Sequence, residues 1–147
     1  MRSSGSPTVA ARVSLLVAVS ALVLSACGAQ VLTLEVGTCF DDPESYEEVT
    51  DVPIVDCADP HGNEVIGLFD IAGDAYPGDD AVADRAGTGC LDAFATYIGI
   101  AYELSVYDIG WLTPSAESWA VGDREVICFA YDPSLEPITG TVRGNAA

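Results

Sequence analysis

Nine residues, Asp56-Cys57-Ala58-Asp59-Pro60-His61-Gly62-Asn63-Glu64, gather the side chains from which catalytic and metal centres are made. His61 is the only histidine among the 147 residues. Three chemistries follow from the types and spacing. His61 with Asp59 or Glu64 could move a proton as a general acid–base pair. Cys57 beside His61 could serve as an activated thiolate nucleophile, provided Cys57 is free. The set Cys57-x3-His61-x2-Glu64 could be drawn as zinc ligands. Each meets an obstacle. An exported chain with an even set of cysteines oxidises them, which removes the nucleophile and a zinc ligand together. No serine stands in a Gly-x-Ser-x-Gly elbow, so a hydrolase triad is not indicated. Many carboxylates are present, but nothing singles out a pair for sugar hydrolysis. The acidic run Asp41-Asp42-Pro43-Glu44-Ser45-Tyr46-Glu47-Glu48-Val49-Thr50-Asp51 lacks the ligand order of a calcium loop. The sequence therefore predicts no enzyme, no cofactor and no bound metal. Asp59, Pro60, His61 and Glu64 read as a turn clamped by a disulfide. The imidazole would bond a backbone carbonyl or a carboxylate of Asp59 or Glu64, or, in the sharper alternative, would be displayed on the turn for recognition.

A second cluster, Trp119-Ala120-Val121-Gly122-Asp123-Arg124, reads as structural. Gly122 suits a positive φ, Arg124 is expected to pair with a nearby acid, and Trp119 is expected in the core or at its rim. Trp111, at a strand end, is the tryptophan whose placement is open.

The elements that must hold these residues can be read in order. A short strand begins in 34–40. Residues 52–57 are β-rich, and Pro53 marks a strand edge or start. The segment 58–63 has turn chemistry, with Gly62-Asn63 suited to φ > 0. Residues 64–71 are apolar on both faces, as in a central strand, and the short turn makes 52–57 and 64–71 hairpin partners. One helix is clear within 76–99: Asp79 or Asp80 can cap it, and Val82, Ala86, Cys90, Leu91, Phe94 and Tyr97 form a stripe at spacings of three and four. Gly99 is placed to end it, while Gly87 and Gly89 each weaken it by about 1 kcal/mol relative to alanine. Residues 103–114 read as a strand, 114–124 as a short helix or turn, 124–133 as a strand, and 138–144 as a further edge strand. The predicted fold class is α+β: a small antiparallel sheet with one main helix on one face and two disulfides.

Four cysteines allow three pairings. Cys39 and Cys57 each fall on a strand beside the 58–63 turn. Cys128 shares a strand face with Val126 and Ala130, towards the helix that carries Cys90. The predicted bridges are Cys39–Cys57 and Cys90–Cys128.

Ahead of them lies a leader. Arg2 and Arg12 precede an apolar run, Val13–Ala26, of 14 residues, short of the ~20 that a spanning helix needs. Leu24-Ser25-Ala26-Cys27 looks like a bacterial lipobox, and the resemblance implies lipidation of the Cys27 thiol and cleavage before it. The expected organisation is a lipoprotein signal peptide at 1–26, a lipid-anchored tether at 27–33, one domain at 34–143 and a loose tail at 144–147. The chain past residue 26 keeps three arginines and all 23 acids, a formal charge of −20, with no lysine. Affinity for nucleic acid comes from neutralising phosphates with Lys and Arg, so DNA and RNA are excluded as partners. A cationic partner is permitted, and acids also keep a surface protein soluble.

Four blocks in order, Val36-Gly37-Thr38-Cys39-Phe40, then Val55 to Gly67, then Cys90, Phe94, Tyr97 and Gly99, then Trp119, Gly122-Asp123-Arg124, Val126 and Cys128, resemble the septum formation domain family. These are actinobacterial envelope proteins, often membrane-anchored or lipoproteins. The resemblance covers roughly residues 34–132. It implies a link to cell division and septum formation, and supplies no reaction, substrate or cofactor. The extreme acidity without lysine departs from any shared charged partner. The expected function is a lipid-anchored, disulfide-stabilised binding or scaffolding module on the outer face of the cell membrane, with an unknown envelope or division protein as partner. The alternatives are an acidic binder or inhibitor of a cationic protein or peptide and, remotely, a cell-wall-acting enzyme.

Overall fold

In a computed structural model that describes residues 1, 31–46 and 49–145, the chain forms a five-stranded antiparallel sheet crossed on one face by one long helix. The strands are β1 (Cys39–Phe40), β2 (Ile54–Val55), β3 (Asn63–Asp70), β4 (Asp108–Leu112) and β5 (Glu125–Tyr131), in the order β2-β1-β3-β5-β4. The helices are α1 (Asp79–Ile98) and the short α2 (Ala116–Ala120). The α+β class, the single main helix and both bridges, Cys39–Cys57 and Cys90–Cys128, are as the sequence predicts. No helix among the described residues is long and apolar enough to cross a membrane. The leader, Cys27 and the tether as far as residue 30 lie outside the described residues.

β3 and β5 bury both faces, which is why their sequences run apolar without clean alternation. On the helix side, Ile66, Val126, Cys128 and Ala130 meet Val82, Ala86, Cys90, Phe94 and Ile98. On the other side, Phe40, Val65, Ile127 and Phe129 pack with Leu34 and Val52. A register shift between Val65 and Gly67 marks a β-bulge in β3. Ile66 and Gly67 consequently both face α1, where a Cβ on Gly67 would meet Ala93 at 2.5 Å. Gly89 answers the question its helix position raises: a Cβ there would run into the Phe69 ring. The helix gives up propensity at this residue to lie closely against the sheet.

Several local expectations need correction. β2 does not form a hairpin with β3. β1 lies between them, pairing Cys39 with Val55 on one side and with Glu64 on the other. Thr38 O accepts from Val65 N, and Asp41 N donates to Pro53 O. Pro53 has no N–H for a ladder, and β2 takes the sheet edge, where that costs least. Leu91 is 45% exposed and leaves the stripe, because one residue rotates the helix by about 100° and Cys90 already faces the sheet. Gly78, with φ 96°, is the residue that caps α1, without a side-chain bond, and Asp79 instead accepts from the Tyr76 hydroxyl at 2.5 Å. Gly62 does not take a positive φ. The strand expected over 103–114 is confined to β4, preceded by a 3-10 turn at Tyr102–Leu104. Residues 138–144 do not add a strand. They make one β-bridge, His61 with Ile138, and then cross the end of the sheet as a strap.

Candidate functional site

The residues singled out in the sequence come together at one corner, where β1, the start of β3 and the 138–144 strap converge. Cys39 and Glu64 are cross-strand partners, and His61 sits just before β3. His61 and Glu64 turn inward, 1% and 0% exposed, while Asp59 and Pro60 stay at the surface. The imidazole is therefore buried in the corner and is not displayed for recognition. His61 Nδ1 is 2.8 Å from the Asp59 carbonyl oxygen. That carbonyl can only accept, so Nδ1 carries the proton. The backbone of His61 exchanges two bonds with Ile138, at 2.9 and 2.8 Å, and Gly140 N donates to Cys57 O at 2.7 Å. The turn is thus held by the disulfide on one side and by the strap on the other.

Glu64 is the buried acid that organises the strap. Its Oε1 accepts from the Tyr97 hydroxyl at 2.5 Å and from Thr141 Oγ1 at 2.6 Å. Its Oε2 accepts from Val142 N at 2.7 Å. Three donors on one carboxylate offset the cost of burying it. Burial, together with the bond to Glu64, pushes the Tyr97 hydroxyl above the usual tyrosine range, so it stays a donor. Arg143 stacks over the Tyr97 ring at 4.3 Å. Sequence reading found His61 and Glu64 but missed Tyr97, Thr141 and Val142 as their partners. Tyr97 lies 33 residues away, and Thr141 and Val142 lie 77 and 78 away, with no local signal to connect them.

The Trp119–Arg124 cluster forms a second knot. Trp119 is 3% exposed, donates Nε1–H to Asp74 O at 3.0 Å and meets the Tyr76 ring edge-on at 5.6 Å. Gly122 takes φ 102°. Arg124 pairs with no acid among the described residues. Its guanidinium lies 3.8 Å over the Trp119 ring and donates to the carbonyls of Gly73, Trp119, Asp123 and Asp74. A planar fork with five donors suits several carbonyls converging at a turn better than one carboxylate would. Asp123 instead accepts from Glu125 N at 3.1 Å, closing the turn into β5.

Two surface clefts flank Trp111; His61, Glu64, Trp119 and Arg124 line neither, although Gly62, Asn63 and Asp123 beside them do. One, of about 540 Å³, runs past Val31, Tyr46, Tyr76, Trp111 and Ser115. The other, of about 420 Å³, has Phe129 and Tyr131 in its wall, Tyr46, Trp111 and Leu135 around it, and Asp42, Asp132 and Glu136 among its acids. Tyr46, Trp111 and Leu135 are 57%, 41% and 79% exposed. Leu135 has φ 60°, the one non-glycine positive φ among the described residues. The turn presenting it is closed by Leu135 N to Asp132 O at 2.8 Å and by bonds from Ser134 N and Oγ to the Asp132 carboxylate, which lower that acid's pKa.

A family model described as "Septum formation" matches residues 22–128. The chain belongs to the septum formation family. No curated protein and no solved structure matches it. The matched span of the septum formation domain takes in both disulfides, the His61–Glu64 corner and the Trp119–Arg124 knot. The strap and the Leu135 turn lie beyond its end. The strap's bonds to the corner, and Phe129, Tyr131, Asp132, Leu135 and Glu136 of the smaller cleft, come from residues past the matched span.

Proposed function

We propose that this chain is a lipid-anchored domain on the outer face of the cell membrane that binds an envelope or division protein during septum formation. Membership of the septum formation family supports the process, and the lipobox at Cys27 with two disulfides supports the compartment. The observation that carries the binding role is the exposed rim of Tyr46, Trp111 and Leu135 around the smaller cleft. Large apolar side chains gathered at a concave surface are the usual anchors of protein recognition. Leu135 adds a second reason. Left-handed backbone costs a non-glycine residue about 1–2 kcal/mol, and here that strain holds a leucine out into solvent.

The test is a pair of variants, Trp111→Ala and Leu135→Asp, expressed as the full chain in dividing cells. Both should melt close to the parent, while crosslinked capture of the partner falls several-fold and enrichment at the septum is lost. Capture and placement unchanged in both variants would count against the reading.

The acids lining the cleft favour a second reading, in which the partner is a cationic protein or peptide. Asp42, Asp132 and Glu136 stand beside aromatic rings on a chain of formal charge −18, an arrangement suited to Lys or Arg side chains. Affinity would then fall steeply with salt. Binding indifferent to salt would leave the apolar rim alone as the recognition surface.

A further inference from the structure

The His61–Glu64 corner contains a lone pair that its structural role does not use. Among the described residues, His61 Nε2 is the buried side-chain nitrogen or oxygen atom left without a hydrogen-bond partner. A buried polar atom left so costs about 1–3 kcal/mol. Because Nδ1–H points at the Asp59 carbonyl, Nε2 is the basic nitrogen. A metal-binding imidazole is held in this way, with its far N–H tied to a carbonyl and its near nitrogen bare. Glu64 is oriented likewise by Tyr97, Thr141 and Val142, and a carboxylate has more lone pairs than three donors occupy. A ring nitrogen of His61, a Glu64 oxygen and Cys39 Sγ lie within 4.8 Å of one another, all three residues buried. Cys57 Sγ is bonded to Cys39 Sγ, so a fourth donor is already at the same place.

We propose that reduction of Cys39–Cys57 turns this corner into a closed zinc site. Its ligands are Cys39 Sγ, Cys57 Sγ, His61 Nε2 and one Glu64 oxygen. Two thiolates, an imidazole and a carboxylate form a four-coordinate set that suits zinc, whereas calcium and magnesium take oxygen. The disulfide keeps the site closed to metal in the oxidised chain, and the ligands' supports are in place before any ion arrives. A dithiol reductant supplies the electrons. Its thiolate attacks Sγ of Cys57, the half-buried residue of the pair, and Cys39, 1% exposed, leaves as a thiolate into the corner. The reductant's second thiol then closes on the mixed disulfide, releasing Cys57 and departing as a cyclic disulfide. Binding of Zn2+ by the two cysteines as thiolates frees their two protons. Cys90–Cys128, with both residues 0% exposed, is withheld from the same attack. None of the four ligands lines the clefts, and the site does not depend on the binding role proposed above.

The experiment uses the full chain, reduced with dithiothreitol and exchanged without oxygen into buffer with or without zinc. One zinc should be retained per chain by native mass spectrometry. Zinc should slow alkylation of Cys39 and Cys57 at least ten-fold, with no effect at Cys90 or Cys128. Cobalt in place of zinc should show thiolate charge transfer and the intense visible bands of a tetrahedral ion. His61→Ala should weaken retention at least ten-fold. Because that variant could also loosen the fold, Cys57→Ser supplies an independent check, with charge transfer about halved. No retained zinc, alkylation of Cys39 and Cys57 that zinc does not slow, or an octahedral cobalt spectrum would each overturn the proposal. So would a chain that unfolds on reduction and is not refolded by zinc.

Discussion

The two disulfides are the same bond in opposite surroundings. Cys90–Cys128 ties the middle of α1 to β5 in a wholly apolar layer, with Ala86, Phe94, Val126 and Ala130 around it. Cys39–Cys57 ties β1, inside the sheet, to the turn after β2, with Cys57 half-buried and a buried histidine and glutamate beside Cys39. The first is surrounded by packing, which tolerates no change of shape. The second is surrounded by directed bonds, which tolerate no change of donor or acceptor. Removing a bond of each kind should fail differently.

Four experiments sharpen or break that contrast. Replacing both cysteines of one bridge by alanine is expected to have the largest effect, read as the shift in denaturation midpoint. The 38-residue separation of Cys90–Cys128 predicts a loss of about 4 kcal/mol, and the 18-residue separation of Cys39–Cys57 about 3. A corner bridge worth clearly more than the core bridge would break the comparison. Glu64→Gln comes next. An amide that keeps its oxygen on Val142 N turns its NH2 towards the Tyr97 and Thr141 hydroxyls, which must then accept instead of donating to a charged oxygen, so a loss of about 1–3 kcal/mol is expected despite the matched shape.

At the core end, two glycines of one helix should respond with opposite sign. Gly87→Ala has room, with Trp111 Cη2 at 3.7 Å, and should gain up to about 1 kcal/mol from helix propensity. Gly89→Ala collides with Phe69 and should lose about 1–3 kcal/mol. Thermal melts of the two variants decide this, and a stabilised Gly89→Ala would show that the layer is not tightly packed.

The smallest effect is on pH. Burial, then repulsion from Asp70 and Asp123, raises the Glu125 pKa above its ordinary 4.5. A raised folded-state pKa means stability is gained as pH falls through it, complete below 4.5. Asp108, lowered by the Tyr102 hydroxyl, works the other way: its contribution is present above 3.8 and lost as pH falls through its depressed value. Denaturation midpoints should therefore rise from pH 7 towards 5, helped by relief of the negative charge, and fall again below about 3.8. Glu125→Gln should flatten the rise and leave the fall.

The sequence showed what local chemistry can show. The stripe on α1, the αL cap at Gly99, the two-sided β3 and the bridge from Cys90 to Cys128 all follow from periodicity and residue type. It also named His61, the only histidine, and with it Glu64, three residues further on. What it missed is non-local. A two-residue strand such as β1 has too little pattern to announce that it inserts between β2 and β3. The strap looked like a strand because Ile138 and Val142 are apolar, yet its bonds go to Cys57, His61 and Glu64. Arg124 was expected to seek a carboxylate on a chain full of them, and a stacked tryptophan with four carbonyls serves it instead. The cleft was illegible, because Tyr46, Trp111 and the Tyr131–Leu135 stretch come from three separate segments.

The claim that matters most is that function resides at the exposed rim and stability in the buried corner. A photo-crosslinking residue placed at Leu135, compared with one at the exposed helix position Leu91, tests it directly in dividing cells. The account predicts one discrete adduct from position 135, concentrated at the septum and absent from position 91. The same adducts from both positions, or none from 135, would contradict it.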